Sequence, residues 1–249
     1  MISLELMEKL IVERGSDILI ELAIAVALAP TIALAFYIYQ KDRYDREPVS
    51  LLLKLFFFGA LAVIPVYFIE KILSSFNIFV GILSAFYTAY IVAGLTEEYF
   101  KRLVVIRLAC KNKNYDEKLD GIVYSVFSAL GFATIENLMY ILIGQNNYIY
   151  TGVTRGFLAV PAHMLFGVTM GYYLSLSKFA NNDNDKKANF SKSYYVPVIL
   201  HGTYDFILMS HLPGLMFFFM VFVIYLWRVN LIKLNEYVNE SKMRNKSPV

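Results

Sequence analysis

Side chains that can carry acid–base or metal chemistry lie within or at the ends of apolar stretches of this 249-residue sequence. A charge at the centre of a bilayer costs roughly 2.5–3.5 kcal/mol on insertion scales, so such residues usually face a polar cavity and have a function there. The sequence therefore predicts an integral membrane protein with a buried polar site, and it favours an enzyme. The candidates are Glu97, Glu98, Lys101, Glu136, His163, His201 and Asp205.

The first three candidates have helical spacing. Glu97 lies four residues before Lys101 and Glu98 lies three before it, so on a helix the lysine can pair with either carboxylate. The two carboxylates point roughly 100° apart, so one can face a reacting water while Lys101 holds the other. The alternative is a simple salt bridge at the interfacial end of a helix. Apolar residues on both sides of the group favour a buried site.

Each remaining candidate also has a structural alternative when it is taken alone. Glu136 can form an interhelical hydrogen bond, because polar groups in hydrocarbon need partners. His163 can be a packing residue, although Pro161 before it can kink a helix, as often happens beside functional sites. His201 and Asp205 are four residues apart and share a helix face, so they can form a plain His–Asp hydrogen bond.

As a set, two histidines and several carboxylates at similar depth match the needs of a catalytic zinc ion. Such a site uses three nitrogen or oxygen ligands and leaves a fourth position for water. The metal lowers the pKa of that water toward 7, and a nearby glutamate acts as general base. The sequence has no His-Glu-x-x-His motif, so the ligands must converge from different helices.

The elements that position these residues are predicted to be transmembrane helices. The chain is 58% hydrophobic with a mean hydropathy of +0.53, and its runs of about 20 apolar residues suit a hydrocarbon core of roughly 30 Å. We predict an all-α, polytopic transmembrane bundle in one domain over residues 1–249. The seven predicted spans are about 18–39, 50–69, 84–106, 121–143, 155–177, 194–211 and 213–231.

Basic residues concentrate in alternate loops, after spans one, three, five and seven. Lys and Arg are retained on the cytoplasmic side of membrane proteins, so the N-terminus is predicted outside and the C-terminus inside, with a flexible cytoplasmic tail at about 232–249. Basic loops of this kind suit anionic lipid headgroups, and no nucleic-acid partner is expected.

The third span has two candidate registers, because residues 72–110 contain no obvious loop signal. A span at 84–106 places Glu97 about 15 Å deep, counted at 1.5 Å per residue, which is similar to the depth of the other candidates. We favour this register, with residues 72–83 as an outer-surface segment. An eight-span alternative, with two helices in 72–110, breaks the charge pattern.

The order of the motifs resembles the PrsW family of intramembrane proteases. The match covers about residues 95–205, within a motif-bearing core of about 84–211. Any one motif is weak, but five in this order are specific. They are Glu97-Glu98-x-x-Lys101, Asp120-Gly121, Gly131-Phe132-x-x-x-Glu136-Asn137, Arg155 with Pro161-Ala162-His163, and His201-x-x-x-Asp205. The related CAAX prenyl endopeptidases have histidine at the position of Glu136 and usually asparagine at that of Asp205.

The resemblance implies a multi-pass protease of a bacterial or archaeal cell membrane that cuts membrane-anchored proteins. The implied partner is an anti-sigma factor, which receives its first cut from such an enzyme. Glu97 and Glu98 take the catalytic role, with Glu97 the preferred base. His163 and His201 are the preferred metal ligands.

The resemblance leaves several roles open. Glu136 or Asp205 is the third ligand, Lys101 balances charge or holds a carboxylate, and Arg155 shapes the outer mouth of the site. A metal-free mechanism uses the same residues, with Glu97 activating water and a histidine stabilising the oxyanion.

Two other functions fit a buried polar site. A transporter or proton relay also uses intramembrane carboxylates and histidines, but it predicts inverted repeats, and the candidates here crowd into spans three to six. A non-catalytic scaffold of the same fold is expected to lack one of the glutamates or histidines, and this chain keeps all of them.

Overall fold

The computed structural model describes the backbone of residues 4–143 and 148–245 and the side chains of residues 19–142 and 148–245. In this part of the chain every regular element is a helix, which confirms the predicted all-α class. The elements are α1 (Leu4–Lys41), α2 (Val49–Leu61), α3 (Val63–Ser75), α4 (Gly81–Phe86), a π-helical segment π1 (Tyr87–Gly94), α5 (Leu95–Leu108), α6 (Lys118–Ile143), α7 (Tyr148–Phe157), α8 (Ala159–Lys178), α9 (Asp183–Met209) and α10 (Pro213–Arg244).

Five helical segments of the described chain are long and apolar enough to cross a bilayer. They correspond to five of the seven predicted spans, whereas the predicted spans at 84–106 and 194–211 are not among them. Those two stretches are helical, but the first carries Glu97, Glu98 and Lys101, and their charges lower its hydropathy. The five segments are Leu19–Lys41, Val49–Ser75, Lys118–Leu142, Tyr148–Lys178 and Pro213–Arg244.

The chain from residue 72 to 110 contains a break that the sequence analysis did not find. Helix α3 continues to Ser75, and α4, π1 and α5 then form one helical run from Gly81 to Leu108. Asn77 stabilises the break, because its side-chain amide donates to Ser84 Oγ (3.0 Å) and its side-chain oxygen accepts from the Phe79 N–H (3.2 Å). Gly81 begins the run at a φ of 59°, a value that favours glycine. The single helical run overlaps the residues of the favoured register, 84–106.

Helical structure extends into the tail predicted at about 232–249, as far as Arg244. Helix α10 runs without interruption from Pro213 to Arg244, and Tyr237 is buried against the ring of Tyr172, with ring centroids 5.0 Å apart. Lys118 pairs with Glu240 at 3.0 Å, so α10 is anchored to the start of α6. Aromatic burial and ion pairs hold this helix beyond its apolar stretch. The last predicted tail residues, 246–249, lie outside the described part of the chain.

Helix α6 lies at the centre of the bundle and packs most extensively against α8 and α2. Close approach to α2 depends on Gly131, because a Cβ added there would lie 2.0 Å from the backbone oxygen of Phe56. Small residues allow such backbone contact between membrane helices. Helix α6 carries Glu136 about one and a half turns beyond Gly131, so this contact helps to position the site.

Replacing Gly131 by alanine is expected to lower the free energy of unfolding by about 1–3 kcal/mol, the usual cost of overpacking. The clash is with backbone, which cannot rotate away as a side chain can. Gly214→Ala is the matched control, since nothing lies within 4 Å of a Cβ at that position. Thermal unfolding in detergent should separate the two variants, and equal unfolding temperatures would contradict the packing role of Gly131.

Candidate active site

The structure brings the seven candidate residues together from four helices. They lie on α5, α6, α8 and α9, around a cavity of about 810 Å³. The cavity wall includes five of them, Glu97, Glu136, His163, His201 and Asp205. The other two, Glu98 and Lys101, lie behind the wall with no exposed surface. The π1 segment ends at Gly94, three residues before Glu97, and π-helical turns are frequent at functional sites.

Lys101 is the hub of the polar network. Its Nζ lies 3.0 Å from Glu97 Oε2, 2.9 Å from Glu98 Oε1 and 2.9 Å from His163 Nδ1. An ammonium group has three donors and no acceptor, so all three contacts use a lysine proton. His163 Nδ1 must therefore accept. The proton of a neutral His163 lies on Nε2, which donates to Glu136 Oε2 at 2.8 Å.

Glu98 orients His201. Its Oε1 accepts from Lys101 and from His201 Nδ1, which lies 2.9 Å away. His201 Nε2 then faces Asp205 Oδ2 at 3.3 Å and Glu97 Oε2 at 3.9 Å. The ring of Phe166 stacks on the imidazole, with centroids 4.9 Å apart. A carboxylate behind a histidine that presents its other nitrogen to the cavity is a common arrangement at metal sites.

Arg155 was predicted to shape the outer mouth of the site, and in the structure it contacts the site residue Glu136 directly. Its Nη2 lies 2.9 Å from Glu136 Oε1, and its Nε donates to Asn137 Oδ1 at 2.8 Å. Glu136 is therefore engaged through both oxygens, by Arg155 on one side and His163 on the other. The Arg155 guanidinium also lies over the ring of Tyr140, 3.8 Å from its centroid.

The cavity includes residues that the sequence analysis did not single out. Glu70 of α3 lines it, as do Tyr140 and Tyr204. The predicted second span ended at residue 69, which left Glu70 in a loop, whereas the helix continues to Ser75. The buried hydroxyl of Tyr204 has no hydrogen-bond partner within the described residues. The apolar residues that resume after Glu70 and Lys71, at Ile72 and Leu73, were the sequence signal that could have extended the second span past Glu70.

Three of the cavity residues fit a metal ion. Glu97, His163 and His201 each offer one ligand atom, these atoms lie within 4.8 Å of one another, and all three residues are buried. Two nitrogens and one carboxylate oxygen form a known donor set of catalytic zinc. The convergent carboxylate is Glu97, whereas the third ligand predicted from the sequence was Glu136 or Asp205.

The comparisons with known proteins agree with this site. The family model described as PrsW family intramembrane metalloprotease matches residues 47–229. Protease PrsW of Clostridioides difficile (strain 630) is 43% identical over 218 residues, which cover 87% of this chain and 92% of the relative. Protease PrsW of Bacillus subtilis (strain 168) is 38% identical over 210 residues, 84% of this chain and 93% of the relative.

No solved structure gives a significant match. The relatives are bacterial, which supports an integral membrane protein of bacteria and gives no support to the archaeal alternative. The family match extends over most of the chain and includes every helix that contributes to the cavity. The chain therefore belongs to the PrsW family of intramembrane metalloproteases.

Proposed function

We propose that this chain hydrolyses peptide bonds of membrane-anchored proteins at the cavity, with Glu97 taking the proton from the attacking water. One observation carries the assignment. Of the two adjacent glutamates, Glu97 lines the cavity beside His163 and His201, whereas Glu98 lies behind the wall. A general base must reach the proton that it abstracts, and only Glu97 of this pair meets that condition.

The partners of Glu97 support this role. Lys101 engages Glu97 Oε2 at 3.0 Å, and Oε1 has no hydrogen-bond partner in the described part of the chain. Oε1 is therefore the oxygen that we assign as proton acceptor. The Lys101 ammonium holds the carboxylate in place while leaving that oxygen available to a water in the cavity.

His201 is the group that we assign to the developing oxyanion. It lies between Glu98 and Asp205, within 2.9 Å of one and 3.3 Å of the other, and a protonated imidazole can donate to both. The contact with Asp205 is long, so the Nε2–H can share its hydrogen bond with an oxyanion formed in the cavity. Preorganised donors of this type stabilise charge that develops in a transition state.

A metal at this site would be held by His163, His201 and Glu97, and Glu97 replaces Glu136 as our proposed carboxylate ligand. His163 would then exchange its contact with Lys101 or with Glu136 for the metal, because each of its ring nitrogens has one of these partners here. Zinc bound there would polarise the substrate carbonyl and lower the pKa of a bound water. Glu97 would then have two competing roles, ligand and proton acceptor. The metal content of the Glu97→Gln variant distinguishes between them.

Elemental mass spectrometry of the detergent-purified chain is expected to find about one zinc per molecule, as in a simple catalytic site. The metal should be lost in His163→Ala and His201→Ala and kept in His211→Asn, the matched histidine outside the cavity. Metal lost in Glu97→Gln would identify Glu97 as a ligand, and metal kept with activity lost would identify it as the base. A metal-free but active wild type would leave Glu97 and His201 to act without zinc.

The proposed substrate is a membrane-anchored anti-sigma factor, as the resemblance implies, in the bacterial cell membrane. The proposed topology has seven spans, with the C-terminus and the basic loops in the cytoplasm. Co-expression of this chain with a doubly tagged anti-sigma factor should yield a shortened membrane fragment. An uncut substrate in the presence of folded enzyme would rule out this partner.

A further inference from the structure

A second cluster of acidic side chains lies at the end of the bundle that carries the basic loops. Asp42 follows α1, Glu117 precedes α6 and Asp120 lies in the first turn of α6. All three are buried, and one carboxylate oxygen of each lies within 4.8 Å of the others. Asp120 and Glu136 are 16 residues apart on α6, which corresponds to about 24 Å along the helix. The cluster is therefore separate from the catalytic cavity.

Each aspartate of the cluster is held by backbone through one oxygen only. Asp42 Oδ2 accepts from the Glu47 N–H at 2.8 Å, and Asp120 Oδ2 accepts from the N–H groups of Asp116 and Glu117 at 2.9 and 2.8 Å. The second oxygen of each aspartate, and both oxygens of Glu117, have no hydrogen-bond partner within the described residues. The backbone contacts fix the two aspartates with a free oxygen available to a common ligand.

Within the described ranges, the cluster has too little positive charge beside it to balance three carboxylates. Its nearest cation is Arg244, whose Nη1 lies 3.7 Å from Glu117 Oε2 and pairs more closely with Asp116 at 3.0 Å. Buried carboxylates without partners are costly, so the cluster must take up either protons or a cation.

We propose that Asp42, Glu117 and Asp120 bind a hard divalent cation, Mg²⁺ or Ca²⁺. All the available ligand atoms are carboxylate oxygens, the donors that these cations prefer, and the cluster has no nitrogen or sulfur ligand that would select zinc. The ion would join the α1–α2 connection to the α5–α6 connection at the base of α6. It is a structural site, independent of the proposed catalysis.

The test uses the full chain in detergent, stripped with a chelator and then titrated with Mg²⁺ or Ca²⁺. Equilibrium dialysis is expected to find one ion per chain, and the unfolding temperature should rise by roughly 5–10 °C when the free ion is at 100 times its Kd. His201→Ala, which disrupts the catalytic site, should keep both effects. Asp183→Asn, an exposed acidic residue, should also keep them.

Asp42→Asn and Asp120→Asn should lose the ion and the temperature rise while unfolding no earlier than the stripped wild type, since each substitution removes repulsion. Absence of bound Mg²⁺ and Ca²⁺ in both wild type and His201→Ala would overturn the proposal and show that protons neutralise the cluster. Binding that persists in both asparagine variants would also overturn it. If those variants fail to fold, the dialysis of wild type and His201→Ala still decides the question.

Discussion

Glu97→Gln is expected to reduce cleavage of a membrane-anchored substrate by about 10²–10⁴-fold, the usual contribution of a general base. Glutamine keeps the size of the side chain and an oxygen for Lys101, but it cannot accept the proton of a water. The fold should therefore persist while the chemistry fails. The measurement is the rate at which equal amounts of purified variants cut a tagged substrate in liposomes.

Glu240→Gln is the matched control for this prediction. Glu240 lies on α10 and pairs with Lys118, far along the chain from the cavity residues, and its loss should leave the rate within a small factor of wild type. A Glu97→Gln enzyme that cuts at the wild-type rate would remove Glu97 from the mechanism. The proton acceptor would then have to be another carboxylate of the cavity wall.

Lys101→Met is expected to lower the free energy of unfolding by about 3–5 kcal/mol, the cost of breaking a buried ion pair from one side. The substitution leaves Glu97 and Glu98 buried without the cation that now contacts both, and it also removes the donor to His163 Nδ1. Chemical denaturation of the detergent-solubilised chain, read from helical circular dichroism, measures the loss.

A double-mutant cycle separates the ion pair from the packing of the lysine. Glu98→Gln combined with Lys101→Met removes one charge of each sign, so the double variant should be more stable than the sum of the two single losses predicts. Contacting residues commonly show coupling energies of about 0.5–3 kcal/mol. Strictly additive losses would indicate that Lys101 acts through its apolar stem rather than through its charge.

The sequence predicted the helical class and the spacing within each motif because both depend on local patterns. Apolar runs indicate spans, and the spacing of Glu97, Glu98 and Lys101 places both carboxylates within reach of the lysine, as observed. The resemblance connected these residues to others far along the chain. The catalytic and ligand roles assigned to them remain predictions.

Features that depend on tertiary contacts were not predictable in this way. The helical tail is held by contacts of α10 with α6 and α8 that leave no periodic signal in the sequence. The acidic cluster joins Asp42 to Glu117 and Asp120, which are more than 70 residues apart. In the sequence Asp42 and Glu117 look like ordinary solvated loop charges, and Asp120 stands out only through the Asp120-Gly121 motif. The direct contact of Arg155 with Glu136 likewise depends on how α7 packs against α6.

The transporter and scaffold alternatives are weakened by the same observations that support hydrolysis. The cavity wall brings together Glu97 and two histidines, and Lys101 holds the carboxylate from behind the wall. This is an arrangement for moving a proton locally. The family match points to protease activity as well. Neither observation requires the polar residues to form a path across the membrane.

The most direct test of the central claim is cleavage of a purified membrane-anchored substrate by the reconstituted chain in water enriched in ¹⁸O, followed by mass spectrometry of the products. Hydrolysis by activated water predicts one heavy oxygen in the new C-terminal carboxyl group with wild type, and about 10²–10⁴-fold slower formation of that product with Glu97→Gln. A product without heavy oxygen, or equal product from both enzymes, would contradict the account.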